Sequence, residues 1–404
     1  MHDEYTENSP LRGAARQQRQ LLIRWCKLMA TSLCLSTLLV LAVNVQLFPS
    51  LLTRLGGTPA QLGLLLSSLF LLYPLASVLS GYAADRLGKR PVMAAGALLM
   101  AAALAAAAAF PSLWARIAAV LLFGAGDGIL ESQASAMLSD ANPGRERSIL
   151  NLSQLFYCVG ATGGPLLIAL GLSVAPSLGV GPILAIAAAL SFLLFVGYAL
   201  LKGGRASHAP AKPISVRALL ADREWRLACA ALFLYVAVEM GTAGWIVKYG
   251  RDHLSLSEAA APLCLAVFWG GVGISRMLVS LAADSLSNRR LLLGSIALTL
   301  AAQLGAFLVS RPAAALILLG IMGLGMGSVW PTIVSLAGSR FRDSSGIAVG
   351  VLVACGACAI PVIQPLIGLV AEPRALGLRT TLLGLSVFTV AELFIVARMG
   401  RRGS

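Results

Sequence analysis

Twelve runs of mostly apolar residues, each close to 20 long, recur along the 404-residue chain, at about 28–52, 60–84, 91–110, 115–139, 148–174, 179–201, 227–249, 259–283, 291–309, 312–338, 345–371 and 379–398. Each is long enough to cross a hydrocarbon core of roughly 30 Å. No water reaches the backbone there, so every run must close its hydrogen bonds internally as a helix. Two or three soluble domains of this total length are excluded, because only 12% of residues are charged and 58% are apolar. Soluble chains carry roughly 25% charged residues. The fold class that follows is an all-α membrane protein with twelve transmembrane helices.

The formal charge of +14 does not indicate a nucleic-acid partner, because its placement is one-sided. Twenty-three of the 31 Lys and Arg residues fall on segments of one side, among them Arg24, Lys27, Arg86, Lys89, Arg90, Arg289, Arg340 and Arg398. Seven fall on the other side and Arg276 lies inside a run. This bias predicts both termini in the cytoplasm of a bacterial inner membrane, with surplus cations against anionic lipid. The polar N-terminal stretch lacks a cleavable signal pattern, so the first run is expected to remain in the mature chain.

A charged hairpin separates the second and third runs: Gly81-Tyr-Ala-Ala-Asp85-Arg86-Leu-Gly88-Lys89-Arg90. A weathered copy returns as Ser280-Leu-Ala-Ala-Asp284-Ser-Leu-Ser-Asn-Arg289-Arg290. Gly160-Ala161-x-x-x-Pro165 in the fifth run is echoed by Gly356-Ala357-x-x-x-Pro361 in the eleventh, where Gly and Pro permit close approach and bending. Residues 202–226, rich in Gly, Pro and cations, read as a cytoplasmic linker between an N-terminal bundle (1–201) and a C-terminal bundle (227–404). Six helices thus precede the linker and six follow it, in two pseudo-symmetric bundles of parallel sense.

Few ionisable groups lie deep in the runs: Asp127 and Glu131 in the fourth, Glu239 in the seventh, Arg276 in the eighth. A charge at the bilayer centre costs about 2.5–3.5 kcal/mol on insertion scales, so each should face protein or a wet cavity. Asp127 and Glu131 are one helical turn apart, and two such carboxylates in low dielectric should not both ionise. The alternative for Asp127, set in Gly124-Ala-Gly-Asp-Gly128, is a bond to a neighbouring helix. Amides at Asn44, Gln46, Asn151 and Gln154 offer donors and acceptors to a hydroxyl-rich ligand, or else hold helices together. Gln303 and Gln364 extend the amide set, with the helix-bonding reading stronger for Gln303. Trp245, Trp269 and Trp330 could stack on a sugar ring or sit in the lipid interface.

Enzyme chemistry finds no support. The three histidines (His2, His208, His253) lie in tail or loops, and no phosphate-binding Gly-Lys loop is present. Seven scattered cysteines, including Cys355-x-x-Cys358, read as small packing residues. No metal or cofactor is expected.

The Gly81–Arg90 segment resembles the loop between helices 2 and 3 of the major facilitator superfamily of transporters. More narrowly, Gly126–Glu131, Leu150–Phe156 with Gly160-Ala161, Phe233–Trp245 and Gly327–Leu336 resemble spans 4, 5, 7 and 10 of the fucose–proton symporter family. That resemblance implies a monomeric secondary transporter working by alternating access, with spans 1, 4, 7 and 10 lining a central cavity. It implies symport of a monosaccharide or polyol with a proton (sodium being the other ion to consider). Proton coupling is expected from Glu131, with Asp127 and Glu239. Substrate contacts are expected from Asn44, Gln46, Glu131, Asn151, Gln154, Tyr157, Glu239, Trp245 and Trp330. Gating is expected from Gly81, Asp85, Arg86, Gly88, Arg90, Arg276 and Asp284, with Asp85 capping the helix near Ser344-Ser345 and Arg276 paired to Glu239. The family's acid in span 1 has no counterpart, since Val43–Pro49 carries amides and Val in its place. Two other readings stay open: an exporter of amphipathic compounds, and a non-transporting sensor.

Overall fold

A computed structural model describes residues 10–201, 216–281, 287–341, 345–372 and 374–399. Among them are twelve helices long and apolar enough to cross a membrane: Lys27–Ser50, Pro59–Leu87, Lys89–Ala109, Leu113–Ala141, Ser148–Val174, Val180–Leu200, Arg223–Asp252, Pro262–Val279, Asn288–Leu308, Pro312–Arg340, Ala348–Val370 and Gly377–Arg398. These are spans 1 to 12, and the chain is a multi-pass integral membrane protein of all-α fold. The face from which span 1 enters is called the terminal face below, and the opposite one the far face.

Local chemistry sets the helix ends. Thr58 and Gln61 close a reciprocal capping box ahead of Pro59, with Thr58 Oγ1 accepting from Gln61 N at 3.3 Å and Gln61 Oε1 from Thr58 N at 3.0 Å. Asp222 caps span 7 by accepting from Trp225 N at 2.8 Å. The helix therefore starts at Arg223, and a further helical turn occupies Val216–Ala221, so the C-terminal part of the expected linker is ordered helix. Proline interrupts span 2 at Leu72 ahead of Pro74, span 10 at Gly327-Ser328 ahead of Pro331, and span 11 at Cys358 ahead of Pro361. Each lacks an N–H and crowds the carbonyl four residues back. Pro165, expected to behave like Pro361, sits inside an unbroken helix.

The two halves repeat each other at matched helix crossings. A Cβ on Gly124 would lie 2.1 Å from Leu69 O, and one on Gly323, 199 positions on, 2.0 Å from Phe268 O, 199 positions after Leu69. Gly128 against Tyr73 O and Gly327 against Val272 O give 2.4 Å each, at the same offset. Arg90 donates from Nε to Tyr198 O at 2.8 Å and also reaches Ala199 O, tying span 3 to the end of span 6. Its counterpart Arg289 donates to Ala397 O at 2.8 Å, tying span 9 to span 12.

Between the halves, span 2 packs on span 11 and span 5 on span 8. The seam is closed on the far side. There Gly63 and Gly368 bring spans 2 and 11 into backbone contact, and Ser67 Oγ donates to Pro361 O at 3.0 Å. Ala60 N donates to Glu372 Oε1 at 3.2 Å, and Arg54 pairs with Glu258 at 3.2 Å. Toward the terminal face, described residues of span 2 such as Leu79 and Tyr82 are exposed.

Candidate functional site

Where spans 2, 4, 5, 7, 8, 10 and 11 converge, a cavity of ≈ 120 Å³ lies on the seam between the halves. The N-terminal half lines it with Phe70, Tyr73, Glu131, Gln154 and Tyr157. The C-terminal half contributes Val236, Glu239, Met240, Trp269, Arg276 and Trp330, with Val353, Ala357 and Ile360 from span 11.

Two features described above position Tyr73. The break at Leu72 makes Tyr73 the first residue of the following helix, and Gly128 lets its backbone lie against span 4. From there Tyr73 Oη donates to Glu131 Oε2 at 3.0 Å. On the opposite wall, Tyr235 Oη donates to Glu239 Oε1 at 2.5 Å within one turn of span 7. Glu239 is 3% exposed. Arg276 crosses the seam from span 8, its Nη1 donating to Gln154 Oε1 at 3.3 Å and to Cys158 Sγ at 3.4 Å. The guanidinium stands within electrostatic reach of both Glu131 and Glu239. Among the described residues, Arg276 Nε and Trp269 Nε1 are buried donors with no partner. Tyr157 meets Trp269 edge-on, ring centroids 6.1 Å apart at 69°. The arrangement is one cation between two carboxyls of opposite halves, walled by aromatic rings. It can bind hydroxyl groups by hydrogen bonds, stack a flat apolar face, and take up a proton.

Of the residues singled out in the sequence, Glu131, Gln154, Tyr157, Glu239, Trp330 and Arg276 meet here. Others are placed elsewhere. Asn44 is wholly buried inside the N-terminal half, donating to Ser191 Oγ at 2.9 Å and Met100 Sδ at 3.5 Å, so it joins spans 1, 3 and 6 rather than facing the cavity. Trp245 is also wholly buried and donates from Nε1 to Gln364 Oε1 at 2.8 Å, while Gln364 Nε2 donates to Met240 O at 2.7 Å. These bonds fasten span 7 to span 11 and keep Trp245 off the cavity wall. Gln46 is 1% exposed and off the wall, and its Oε1 has no partner among the described residues. Asn151 is exposed on span 5, and Asp127, 2% exposed, lies one turn from Glu131 but not on the lining. Gln303 accepts from Thr389 Oγ1 at 2.8 Å, the helix-bonding role.

The gating segment is helical through Leu87, and the turn is Gly88 alone, at φ +89°. Gly tolerates that backbone region where side chains clash. Asp85 and Arg86 are exposed, and a Cβ on Gly81 would meet nothing within 4 Å. Arg90 takes the carbonyl-binding role, and Lys89 pairs with Asp140 on span 4. Asp284, and Ser344 at the helix start that Asp85 was expected to cap, lie outside the described residues. Arg276 holds span 5 of the opposite half instead of a direct ion pair with Glu239.

Sequence reasoning missed Tyr73, Tyr235 and Glu392. Tyr73 announces itself only through the proline that follows it. Glu392 sits inside the twelfth apolar run and is 3% exposed, so the deep carboxylates are not confined to spans 4 and 7.

Three solved structures share the architecture. A bacterial homolog of the human lysosomal transporter Spinster, inward-facing and unoccupied, superposes with a TM-score of 0.74 at 15% identity, covering 93% of this chain and 97% of that one. The fucose:proton symporter FucP of E. coli, outward-facing, gives 0.63 at 20% identity over 93% of this chain and 100% of that one. The nucleoside transporter NupG gives 0.71 at 16% identity, covering 93% and 100%. At these identities the likeness establishes the fold alone. No curated protein matches the chain by sequence. The sequence profile of the Major Facilitator Superfamily matches residues 29–364. Twelve spans in two repeated halves, a cavity on their seam and that profile together make this chain a member of the Major Facilitator Superfamily of transporters.

Proposed function

We propose that this transporter moves a small neutral solute rich in hydroxyls, a monosaccharide or polyol, by alternating access in symport with a proton. The observation that carries the reading is a cavity in which Glu131 and Glu239, from opposite halves, flank Arg276 beside Trp269 and Trp330. Unpartnered donors at Arg276 Nε and Trp269 Nε1 suit hydroxyl or ring oxygens of a substrate, since a buried donor left unmade costs about 1–3 kcal/mol. FucP and NupG, whose names concern a sugar and nucleosides, are similar in fold, which favours such a cargo.

The coupling follows from charge balance. Glu131 in its ionised form accepts from Tyr73 and helps to neutralise Arg276, which grips Gln154 and Cys158 across the seam. A proton on Glu131 removes one counter-charge from that cation in low dielectric, and so changes the energy of the grip between halves. With the termini in the cytoplasm, the closed far side is the outer one and this is an inward-facing state. The protein works as a monomer in a bacterial inner membrane, its basic terminal face against anionic lipid.

Replacing Glu131 by Gln and reconstituting the protein in liposomes tests the proposal. Gradient-driven accumulation should be lost while exchange of substrate across the membrane persists. Full uptake by the variant would remove Glu131 from coupling.

A second reading, export of amphipathic compounds by proton antiport, is favoured by the apolar part of the wall: Phe70, Val236, Met240, Val353 and Ile360. Thermal shifts separate the two, with sugars stabilising a symporter of this kind and lipophilic cations an exporter.

A further inference from the structure

At the terminal face a second cavity, of ≈ 650 Å³, lies between the start of span 3 and the end of span 6. Its mouth is cationic, with Lys89 and Arg90, and its floor is apolar, with Ala94, Ala95, Leu98 and Phe195. Ala95, Leu98 and the neighbouring Ala199 are exposed, so in a membrane the groove opens sideways onto lipid. Arg90 and Leu98 stand eight residues apart on one helix. That is about 12 Å along its axis. Half of a hydrocarbon core is roughly 15 Å. The groove thus begins at headgroup level and ends within one leaflet.

The two cations at the mouth are used differently. Lys89 is matched by Asp140 of span 4. Arg90 donates from Nε to Tyr198 O and from Nη2 to Ala199 O, and no carboxylate among the described residues pairs with it. Those carbonyls hold the guanidinium in place without cancelling its charge. Its Nη1 is left to donate, and a guanidinium matches the oxygens of a phosphate in a way an ammonium does not. The C-terminal half repeats the arginine with a larger neighbour. Arg289, 199 positions on, ties span 9 to span 12 through Ala397 O. There Leu293 takes the place of Ala94 and packs against the core.

We propose that this groove holds one anionic phospholipid of the leaflet at the terminal face, its phosphate on Arg90 and an acyl chain along Ala94, Ala95, Leu98 and Phe195. An anion is selected because Lys89 and Asp140 cancel, which leaves the charge of Arg90 at the mouth. A membrane lipid is selected because the floor is apolar and opens to the bilayer interior, where a soluble anion finds nothing to bind. The lipid lies across the junction of spans 3 and 6, where Arg90 already joins them. The site requires only that the chain sit in a membrane. It is independent of the solute carried and of proton coupling, which the Glu131→Gln experiment tests separately.

A phosphatidylglycerol carrying a photoreactive diazirine on one acyl chain locates the lipid, used as a trace component of phosphatidylcholine vesicles that hold the full-length protein. After illumination, peptides from Lys89–Ala109 and Val180–Leu200 should carry the label. The matching phosphatidylcholine probe has no net charge and should label them about fivefold less, the value of one cation near a membrane surface. Arg90→Gln should lower phosphatidylglycerol labelling by a similar factor. Ala94→Leu keeps every charge and installs the side chain that the other half carries at Leu293. By filling the groove it should lower labelling at least about tenfold, since each buried CH₂ contributes roughly fourfold. If Ala94→Leu does not fold, Leu98→Trp obstructs the inner end of the same groove, with the same loss expected. Undiminished labelling of the folded groove variant, equal labelling by the two probes, or label spread evenly over other spans overturns the proposal. Displacement of the probe by inorganic phosphate at a similar concentration assigns a site for soluble anions and overturns it equally.

Discussion

Replacing Gly128 by Ala should disturb packing and chemistry together. A methyl at this position would stand 2.4 Å from Tyr73 O and 3.1 Å from Tyr73 Cα, whereas ordinary contact begins at 3.4 Å. The shortfall of 1.0 Å is against backbone, so no rotamer change relieves it, and spans 2 and 4 must separate by a similar amount. Overpacking of this kind costs about 1–3 kcal/mol. The gain in helix propensity from Gly to Ala is about 1 kcal/mol, so the clash wins. The displaced residue carries the hydroxyl that donates to Glu131 at 3.0 Å, and an added 1 Å takes it beyond hydrogen-bond range. Thermal unfolding in detergent should show Gly128→Ala destabilised, and Gly327→Ala comparably so, because its methyl meets Val272 O at the same 2.4 Å. Gly294→Ala is the control, since its methyl would meet nothing within 4 Å and it should be neutral or slightly stabilised. In liposomes, Gly128→Ala should also shift the pH dependence of uptake. The reasoning fails if Gly128→Ala melts with Gly294→Ala, or if it melts lower but transports with an unaltered pH profile.

Two further outcomes follow from contacts away from the cavity. Arg340 donates to Asp222 Oδ2 at 2.6 Å and holds its carboxyl below the usual carboxylate range. The stabilisation this gives is complete above about pH 4 and is lost as pH falls through the lowered folded-state value. Asp222→Asn keeps the helix cap but loses the ion pair, which is worth about 0–1 kcal/mol at this exposure. Its melting temperature should therefore lie below wild type at pH 7, with the gap closing in acid; a gap that widens in acid contradicts the assignment. Trp245→Phe strands the buried Gln364 Oε1 and should cost about 1–3 kcal/mol in thermal unfolding, against no change if Gln364 finds another donor.

Most of the architecture was legible in one dimension. A run of 20 apolar residues has a single way to satisfy its backbone in lipid, so the span count and the limits of each span, within a few residues, follow from composition. The repeat was legible in the charged segment Gly81–Arg90 and its copy Ser280–Arg290, whereas the recurrence of Gly124 and Gly128 as Gly323 and Gly327 gains its meaning only where the helices cross. Glu131, Glu239 and Arg276 were legible because a charge in lipid is expensive enough to need a reason.

The direction each side chain takes was not legible. Asn44 and Gln154 are amides in equally apolar stretches, yet one closes a bond to Ser191 within its own half and the other receives Arg276 across the seam. Trp245 and Trp330 both lie on expected cavity helices, but a bond to Gln364 turns the first inward to the bundle. Whether Gln303 meets Thr389 depends on how spans 9 and 12 rotate against one another. Hydropathy is a property of the residue and is written in the chain. A hydrogen-bond partner is a property of the helix–helix rotation, which only packing of the whole bundle settles, and that rotation decides which polar groups become structure and which become site.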